Sequence, residues 1–182
     1  MARLDRLGPA KEIAQLGAAY RATGALIGTR GCNVAELAGG YARQGRIGEG
    51  LQMLAGALAV TNETGVRHYE AEMYRLKGEL LLQKSNVRSL VSEVPNTQHP
   101  IPSTQAEAEA CFLKAIEIAR SQKAKSWELR AATSLARLWR QRSRQKEAHK
   151  LLSEVYNWFT EGFDTKDLQE AKALLDSLES GV

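Results

Sequence analysis

The sequence of 182 residues has little proline and few aromatic residues. Only four prolines occur, and three of them fall between Pro95 and Pro102, so elsewhere proline interrupts few helices. Aromatic residues make up 6 % of the chain, and long alternating runs of Val, Ile and Thr are missing, which excludes an extensive sheet. The abundant residues, such as Ala, Leu, Glu and Arg, are strong helix formers. Length and composition together predict one all-α domain with a substantial core.

Residues that could bind a metal or carry out catalysis are few and scattered. The three histidines lie in different segments and the two cysteines are far apart, which excludes a zinc site. Cys32 and Cys111 fall on apolar stripes of predicted helices; we expect buried free thiols, since a disulfide would need their Cα atoms within about 7 Å. The chain has no Gly-Lys-Ser/Thr loop after a strand and no nucleophile with a neighbouring base. We therefore predict a non-enzymatic protein without catalytic, cofactor-binding or metal-binding residues.

Long hydrophobic runs and a strong charge imbalance are also absent. No window approaches the roughly 20 apolar residues of a membrane span, and the amino terminus lacks the apolar run of a signal peptide. The formal net charge of +4 is too small by itself to indicate a nucleic-acid partner. These absences predict a cytoplasmic protein that does not bind a membrane.

The stretch from Glu107 to Arg120 shows the helical period most clearly. Residues three and four apart lie on the same face of an α-helix, and small or apolar residues follow that spacing here. Thr104 and Glu107 have the spacing of a capping box, which predicts the start of this helix. Such a stripe needs a partner helix to cover it. Its members are Ala108, Cys111, Phe112, Ala115, Ile116 and Ala119.

A triplet of small, large and small residues, at offsets of four and three, recurs in three predicted helices. Each triplet follows a helix with a small residue and, three positions later, a large one. Of these small residues, Ala38 and Gly78 are 40 positions apart, whereas Gly78 and Ala136 are 58 apart. One insertion of 18 residues in the middle copy explains the difference, and a fixed period of this size indicates stacked helices. The triplets are Gly50, Leu54, Ala57; Ala108, Phe112, Ala115; and Ala148, Leu152, Val155; the pairs are Ala38, Tyr41; Gly78, Leu81; and Ala136, Trp139.

This arrangement resembles tetratricopeptide repeats, whose pattern combines Leu-Gly, Tyr, and later Ala, a large apolar residue and Ala. It departs from the pattern in three ways: the period is 40 rather than about 34, no proline closes a repeat, and Gly50 stands where Ala is usual. The resemblance implies an all-α, tetratricopeptide-like α-solenoid of about three helix pairs with a terminal capping helix.

More specifically, three segments resemble the carboxy-terminal region of predicted bacterial ATPases that often follow a class III adenylate/guanylate cyclase domain. The segment Ala2–Gly17 is similar to the run near the end of the ATPase part. The resemblance implies that the nucleotide-binding and cyclase parts are missing and that the chain is a shortened form or a gene remnant. The three segments are His68–Gln83, Ala106–Ala119 and Ser126–Leu175.

The pattern predicts two regions. Residues 1–30 would form an amino-terminal helix and a Gly-rich junction, and residues 31–182 would form the repeat domain. Within the repeat domain, residues 85–102 are predicted to be an exposed, mobile insert. Gly45 is predicted to stop the first helix, and Asp164 to cap the last one. The predicted helices are Cys32–Gln44, Ile47–Glu63, Val66–Lys84, Thr104–Lys123, Ser126–Arg142, Gln145–Thr160 and Asp164–Glu179.

The resemblance also implies a binding groove, because the first helices of tetratricopeptide-like pairs line a concave surface that usually holds a peptide. From Glu117 to Lys150 there are ten Lys or Arg residues against three Asp or Glu. Guanidinium groups suit carboxylates or phosphates, so the partner could be acidic; alternatively, these charges only solubilise a helix face. The groove positions carried over are Arg43, Glu72, Arg75, Glu79, Gln83, Arg130, Thr133, Arg137, Arg140 and Gln141.

Three functions fit these features. The first is a non-enzymatic scaffold for protein–protein interaction, with a regulatory role in signal transduction. The second is a fragment of an ATP-binding adenylate/guanylate cyclase-type regulator that acts only with its missing catalytic domains. The third is nucleic-acid binding through the basic region 130–144, which would need exposed aromatics among the basic residues; Trp127 and Trp139 fit a core better.

Overall fold

In a computed structural model, the structure describes Val34 and residues 38–41, 43–91 and 101–180. The predicted amino-terminal region 1–30 and Cys32 lie outside these described residues. Residues 34, 38–41 and 43 are helical and precede the first helix with described bounds. No strand occurs in the described part of the chain, which confirms the all-α prediction. The bounded helices are α1 (Ile47–Thr64), α2 (Glu70–Val91), α3 (Ile101–Ser121), α4 (Lys125–Gln141), α5 (Gln145–Tyr156) and α6 (Lys166–Glu179).

The helices pack in sequence order, with additional contacts between alternate helices. Each helix from α1 to α6 contacts the next one, and α2 also contacts α4, as α4 contacts α6. Consequently α2, α4 and α6 lie side by side in one row, with α3 packed against α2 and α4, and α5 packed against α4 and α6. None of the helices in the described ranges is both long and apolar enough to cross a bilayer.

The recurring small and large residues form the interior between helices, as the spacing predicts. Ala108, Phe112 and Ala115 have no exposed surface, and neither do Leu54 and Leu152. A methyl group added at Gly78 of α2 would lie 2.6 Å from Cε1 of Phe112 in α3. The absence of a side chain at this glycine is therefore what allows α2 to approach the Phe112 ring.

Three of the short connections contain a residue in the left-handed region two positions before the next helix. Gly45 has φ +75°, which confirms the predicted helix stop before α1. Lys123 (φ 56°) precedes α4 and Ser143 (φ 58°) precedes α5 in the same way. The sequence did not predict these two, because glycine is the residue that normally marks this conformation.

The ends of the predicted insert 85–102 are helical. α2 continues to Val91 and α3 begins at Ile101, so the predicted boundaries at Lys84 and Thr104 were wrong. Between Lys84 and Val91 there is neither Gly nor Pro to stop α2, and Pro102 is tolerated in the first turn of α3. Thr104 therefore lies inside the helix rather than at its cap. Residues 92–100 lie outside the described residues.

The last two helices, α5 and α6, differ from their predicted bounds. α5 ends at Tyr156 rather than Thr160, and Thr165, not Asp164, occupies the N-cap position of α6 without a side-chain capping bond. Lys166, Lys172 and Asp176 of α6 are exposed, as expected for the outer face of a terminal helix. Glu170 of the same helix instead forms an ion pair with Arg137 of α4.

Candidate functional site

The row formed by α2, α4 and α6 carries a polar groove of about 210 Å³. This volume is smaller than the roughly 300–1,000 Å³ of typical small-molecule pockets, so the groove suits individual side chains of a partner better than a whole cofactor. Five of the ten predicted groove residues line it: Arg75, Glu79, Arg130, Thr133 and Arg137. The other lining residues are Ser134, Lys166, Asp167 and Glu170.

Helical spacing brings these side chains to one surface. Residues three, four and seven positions apart share a helix face. On α4 this places Arg130, Ser134 and Arg137 in line, and on α2 it aligns Arg75 with Glu79. The opposite faces of both helices hold buried apolar residues of the core. The groove thus follows directly from amphipathic helices that lie side by side.

Arg75 and Glu72 form the deepest ion pair of the groove. Both bonds between them are 2.7 Å, from Arg75 Nε to Glu72 Oε2 and from Nη2 to Oε1. Burial opposes the charge of Arg75, but hydrogen bonding to Glu72 together with the charges of Glu72, Glu79 and Asp167 raises the pKa of the guanidinium above its ordinary value. Arg130 Nη1 of α4 donates to the same Glu72 at 3.3 Å. Glu72 therefore pairs with Arg75 within α2 and links α2 to α4 through Arg130.

Glu79 makes the second connection between α2 and α4. Arg75 Nη1 donates to Glu79 Oε1, and Ser134 Oγ of α4 donates to the same oxygen at 3.0 Å. Thr133 is buried and donates to the Leu129 carbonyl at 2.8 Å. Its hydroxyl is thus held by the backbone of α4, although the side chain lines the groove.

Three arginines of α4 reach across to α6. Arg130 Nε donates to Asp167 Oδ2 at 2.9 Å. Arg137 Nη2 donates to Glu170 Oε2 at 2.7 Å, and this bond lowers the pKa of the Glu170 carboxyl. Arg140 Nη1 donates to the hydroxyl of Ser177 at 2.9 Å. Asp167, Glu170 and Ser177 were not among the predicted groove residues. Asp167 and Glu170 are three positions apart, so they share one face of α6, and this spacing was the available signal in the sequence.

The groove is nearly neutral despite the basic sequence around it. Four cations line it, and with Glu72 the number of carboxylates is also four. Each of these cations lies within ion-pair distance of at least one of the carboxylates. The excess of positive charge read from the sequence between Glu117 and Lys150 is therefore not concentrated as free charge in the groove. The cations are Arg75, Arg130, Arg137 and Lys166, and the carboxylates are Glu72, Glu79, Asp167 and Glu170.

The remaining predicted groove residues lie apart from the groove lining. Arg43, Gln83 and Gln141 are exposed and do not line it. Arg140 is also exposed and is connected to the groove through its bond to α6. Five of the predicted residues thus lie together in the groove lining, and the other five do not line it.

The basic region 130–144 is divided between two faces of the molecule. While the α4 arginines face α2 and α6, the residues of the α4–α5 turn face α3. Glu109 of α3 accepts bonds from Trp139 Nε1 (2.7 Å), Arg142 Nη1 (2.5 Å) and Arg144 Nη1 (2.7 Å). Burial opposes the charge of Glu109, but Trp139 and the two arginines together lower the pKa of its carboxyl. No single stripe of unpaired basic residues results within this region.

The described ranges contain one cysteine and no cluster of metal-ligating residues. Residues 34, 38–41, 43–91 and 101–180 contain no group of three or more His, Cys, Asp or Glu residues that could hold a metal ion. Cys111 is a buried free thiol, as expected, and burial raises its pKa. An uncharged buried thiol is a weak nucleophile.

Comparisons of the chain with protein families, with curated proteins and with solved structures found no match. The groove geometry therefore carries the functional conclusion.

Proposed function

We propose that the chain is a non-enzymatic scaffold that binds a segment of a protein partner in the groove of α2, α4 and α6. The observation that carries this proposal is the adjacency of these three helices, because it combines side chains from separate parts of the sequence in one polar surface. Clusters of arginines are one means by which proteins recognise acidic segments of a partner. The partner is a protein segment with acidic groups, and the wider role is regulatory.

The finer architecture belongs to the same proposal: the helices form a tetratricopeptide-like α-solenoid. Burial at equivalent positions of successive pairs supports it, as at Leu54, Phe112 and Leu152. Left-handed residues before equivalent helices, Gly45 before α1 and Ser143 before α5, give further support. In such an array each unit contacts only its neighbours and the row of first helices forms the binding face.

A pull-down comparing two charge-reversal variants tests the proposal. Arg137→Glu combined with Arg140→Glu reverses both exposed arginines at the groove, and we expect it to lose the partner captured by the unaltered chain. Lys146→Glu combined with Lys150→Glu changes the net charge equally on the exposed surface of α5, and should retain the partner. Circular dichroism verifies that both variants are helical.

The scaffold proposal fails if both variants capture the same proteins as the unaltered chain. Hydrolysis of ATP by the purified chain would contradict its non-enzymatic part.

A further inference from the structure

The two ends of the groove differ in charge. At the end near Glu72, two arginines face three carboxylates: Arg75 and Arg130 against Glu72, Glu79 and Asp167. At the other end Arg137 of the groove and Arg140 beside it accompany a single carboxylate, Glu170. The groove, nearly neutral as a whole, therefore has a positive end, which attracts acidic groups.

The ion pairs of the two ends also differ in burial. Arg75 and Glu72 are 14 % and 7 % exposed, whereas Arg137 and Glu170 are 43 % and 41 % exposed. Breaking a buried pair leaves an uncompensated charge and is strongly unfavourable. An exposed pair, by contrast, contributes little to stability. Arg137 can therefore exchange its carboxylate at little cost, while Arg75 cannot.

The position of α6 does not depend on the Glu170 bond. The apolar side of this helix packs against the core through five buried residues. Burial of apolar surface of this extent outweighs one exposed ion pair. Glu170 can consequently release Arg137 while α6 stays in place. The five residues are Leu168, Ala171, Leu174, Leu175 and Leu178.

Arg140 lies one turn further along α4 and, among the residues that the structure describes, has only a neutral acceptor. Its bond goes to the hydroxyl of Ser177, which itself donates to the Leu174 carbonyl at 2.7 Å. A carboxylate is a stronger acceptor for a guanidinium than a hydroxyl is. Since three residues of an α-helix rise about 4.5 Å, Arg137 and Arg140 can receive two carboxylates that are close together in a partner segment.

We propose that Glu170 is an internal competitor for an acidic partner segment: it holds Arg137 until one carboxylate of the partner replaces it, while a second binds Arg140. This inference rests on the proposed scaffold function and names the chemistry of the partner. A segment with glutamate or aspartate side chains displaces Glu170, whereas a segment of equal length with only amide side chains does not.

A binding titration with synthetic peptides tests the inference. The probes are a fluorescein-labelled peptide of ten glutamates and the matching peptide of ten glutamines. Glu170→Gln removes the competitor, and we expect it to bind the glutamate peptide about two to five times more tightly than the unaltered chain, as expected for loss of one exposed pair. Asp176→Asn is the matched control, because it removes an exposed carboxylate of α6 that pairs with Lys172 outside the groove.

A third variant separates local exchange from a general change of charge. In Arg137→Gln, Glu170 has lost the arginine for which it competes. Adding Glu170→Gln to that variant should therefore give no further gain in affinity for the glutamate peptide. The inference is overturned if Glu170→Gln binds no more tightly than Asp176→Asn, or if its gain persists in the double variant. The pull-down described above decides the scaffold function separately. If the unaltered chain captures a partner that Arg137→Glu/Arg140→Glu loses, the scaffold function stands even when Glu170 is shown not to compete.

Discussion

The second and third helical pairs, α2/α3 and α4/α5, have different residues at corresponding positions of the recurring sequence pattern. In the second pair Gly78 faces the ring of Phe112. At the equivalent positions the third pair has Ala136 and Leu152, both without exposed surface. The smaller residue of one helix thus accompanies the larger residue of the other. We therefore expect the combined volume at these two positions, rather than either residue alone, to determine how closely the helices approach.

The largest expected effect comes from removing the glycine of the second pair. In Gly78→Ala the new methyl group would lie 2.6 Å from the Phe112 ring. Overpacking of a core costs about 1–3 kcal/mol, whereas alanine favours a helix over glycine by only about 1 kcal/mol. Because the ring is fully buried and has little room to shift, we expect a net loss of about 1–2 kcal/mol in the free energy of unfolding, measured with urea.

Combining Gly78→Ala with Phe112→Leu gives the second pair the residues of the third. We expect this double variant to be more stable than the sum of the two single changes predicts. Gly48→Ala is the control, because a methyl group at this exposed position of α1 meets nothing within 4 Å, and it should not destabilise the protein. Additive losses in the double variant would show that volume is not shared between the two helices.

A smaller loss of stability is expected at the contact between the second and third helical pairs. Glu109 of α3 is only 17 % exposed and holds both arginines of the α4–α5 turn. Glu109→Gln retains an acceptor but removes the charge, so we expect a loss of about 1 kcal/mol at neutral pH. Glu117→Gln is the control on the same helix, because Glu117 is 69 % exposed and pairs with the neighbouring Lys114. Equal losses in both variants would argue against a special role of Glu109.

The same contact makes stability depend on pH. Folding lowers the pKa of Glu109 below its ordinary value of 4.5, so its contribution is fully present above that value and is lost as the pH falls through the lowered pKa. We expect the free energy of unfolding to decrease below about pH 4.5 and to decrease less in Glu109→Gln. An identical slope in the variant would contradict this assignment.

The smallest effect concerns the turn within the third pair. Ser143 has a left-handed backbone there, as Gly45 does before α1. Glycine adopts this conformation without steric cost, so Ser143→Gly should stabilise the protein by about 0.5–1 kcal/mol. Ser153→Gly, inside α5, should destabilise it by a similar amount. Thermal unfolding measures both changes, and a loss of stability in Ser143→Gly would contradict the explanation.

The sequence predicted the features that depend on local spacing. Gly78 and Phe112 were identified from recurring offsets, and Arg75 and Arg137 from the resemblance to a repeat family. The partner of Arg137 on α6 was not identified, because Arg137 and Glu170 are 33 positions apart and no periodic pattern connects them. The left-handed residues before α4 and α5 were missed for another reason: Lys123 and Ser143 are not typical of that conformation.

The extension of α2 and α3 bears on how the chain can be modified. α2 reaches Val91 and α3 begins at Ile101, whereas α4 and α5 are joined by a turn of three residues. Because the additional segment lies between two helices of one pair, the connection from that pair to the next, residues 122–124 between α3 and α4, stays short. A fluorescent protein or affinity tag placed between Val91 and Ile101 would therefore leave the order and alignment of the helices intact, and would provide a reporter far along the chain from the arginines of α4.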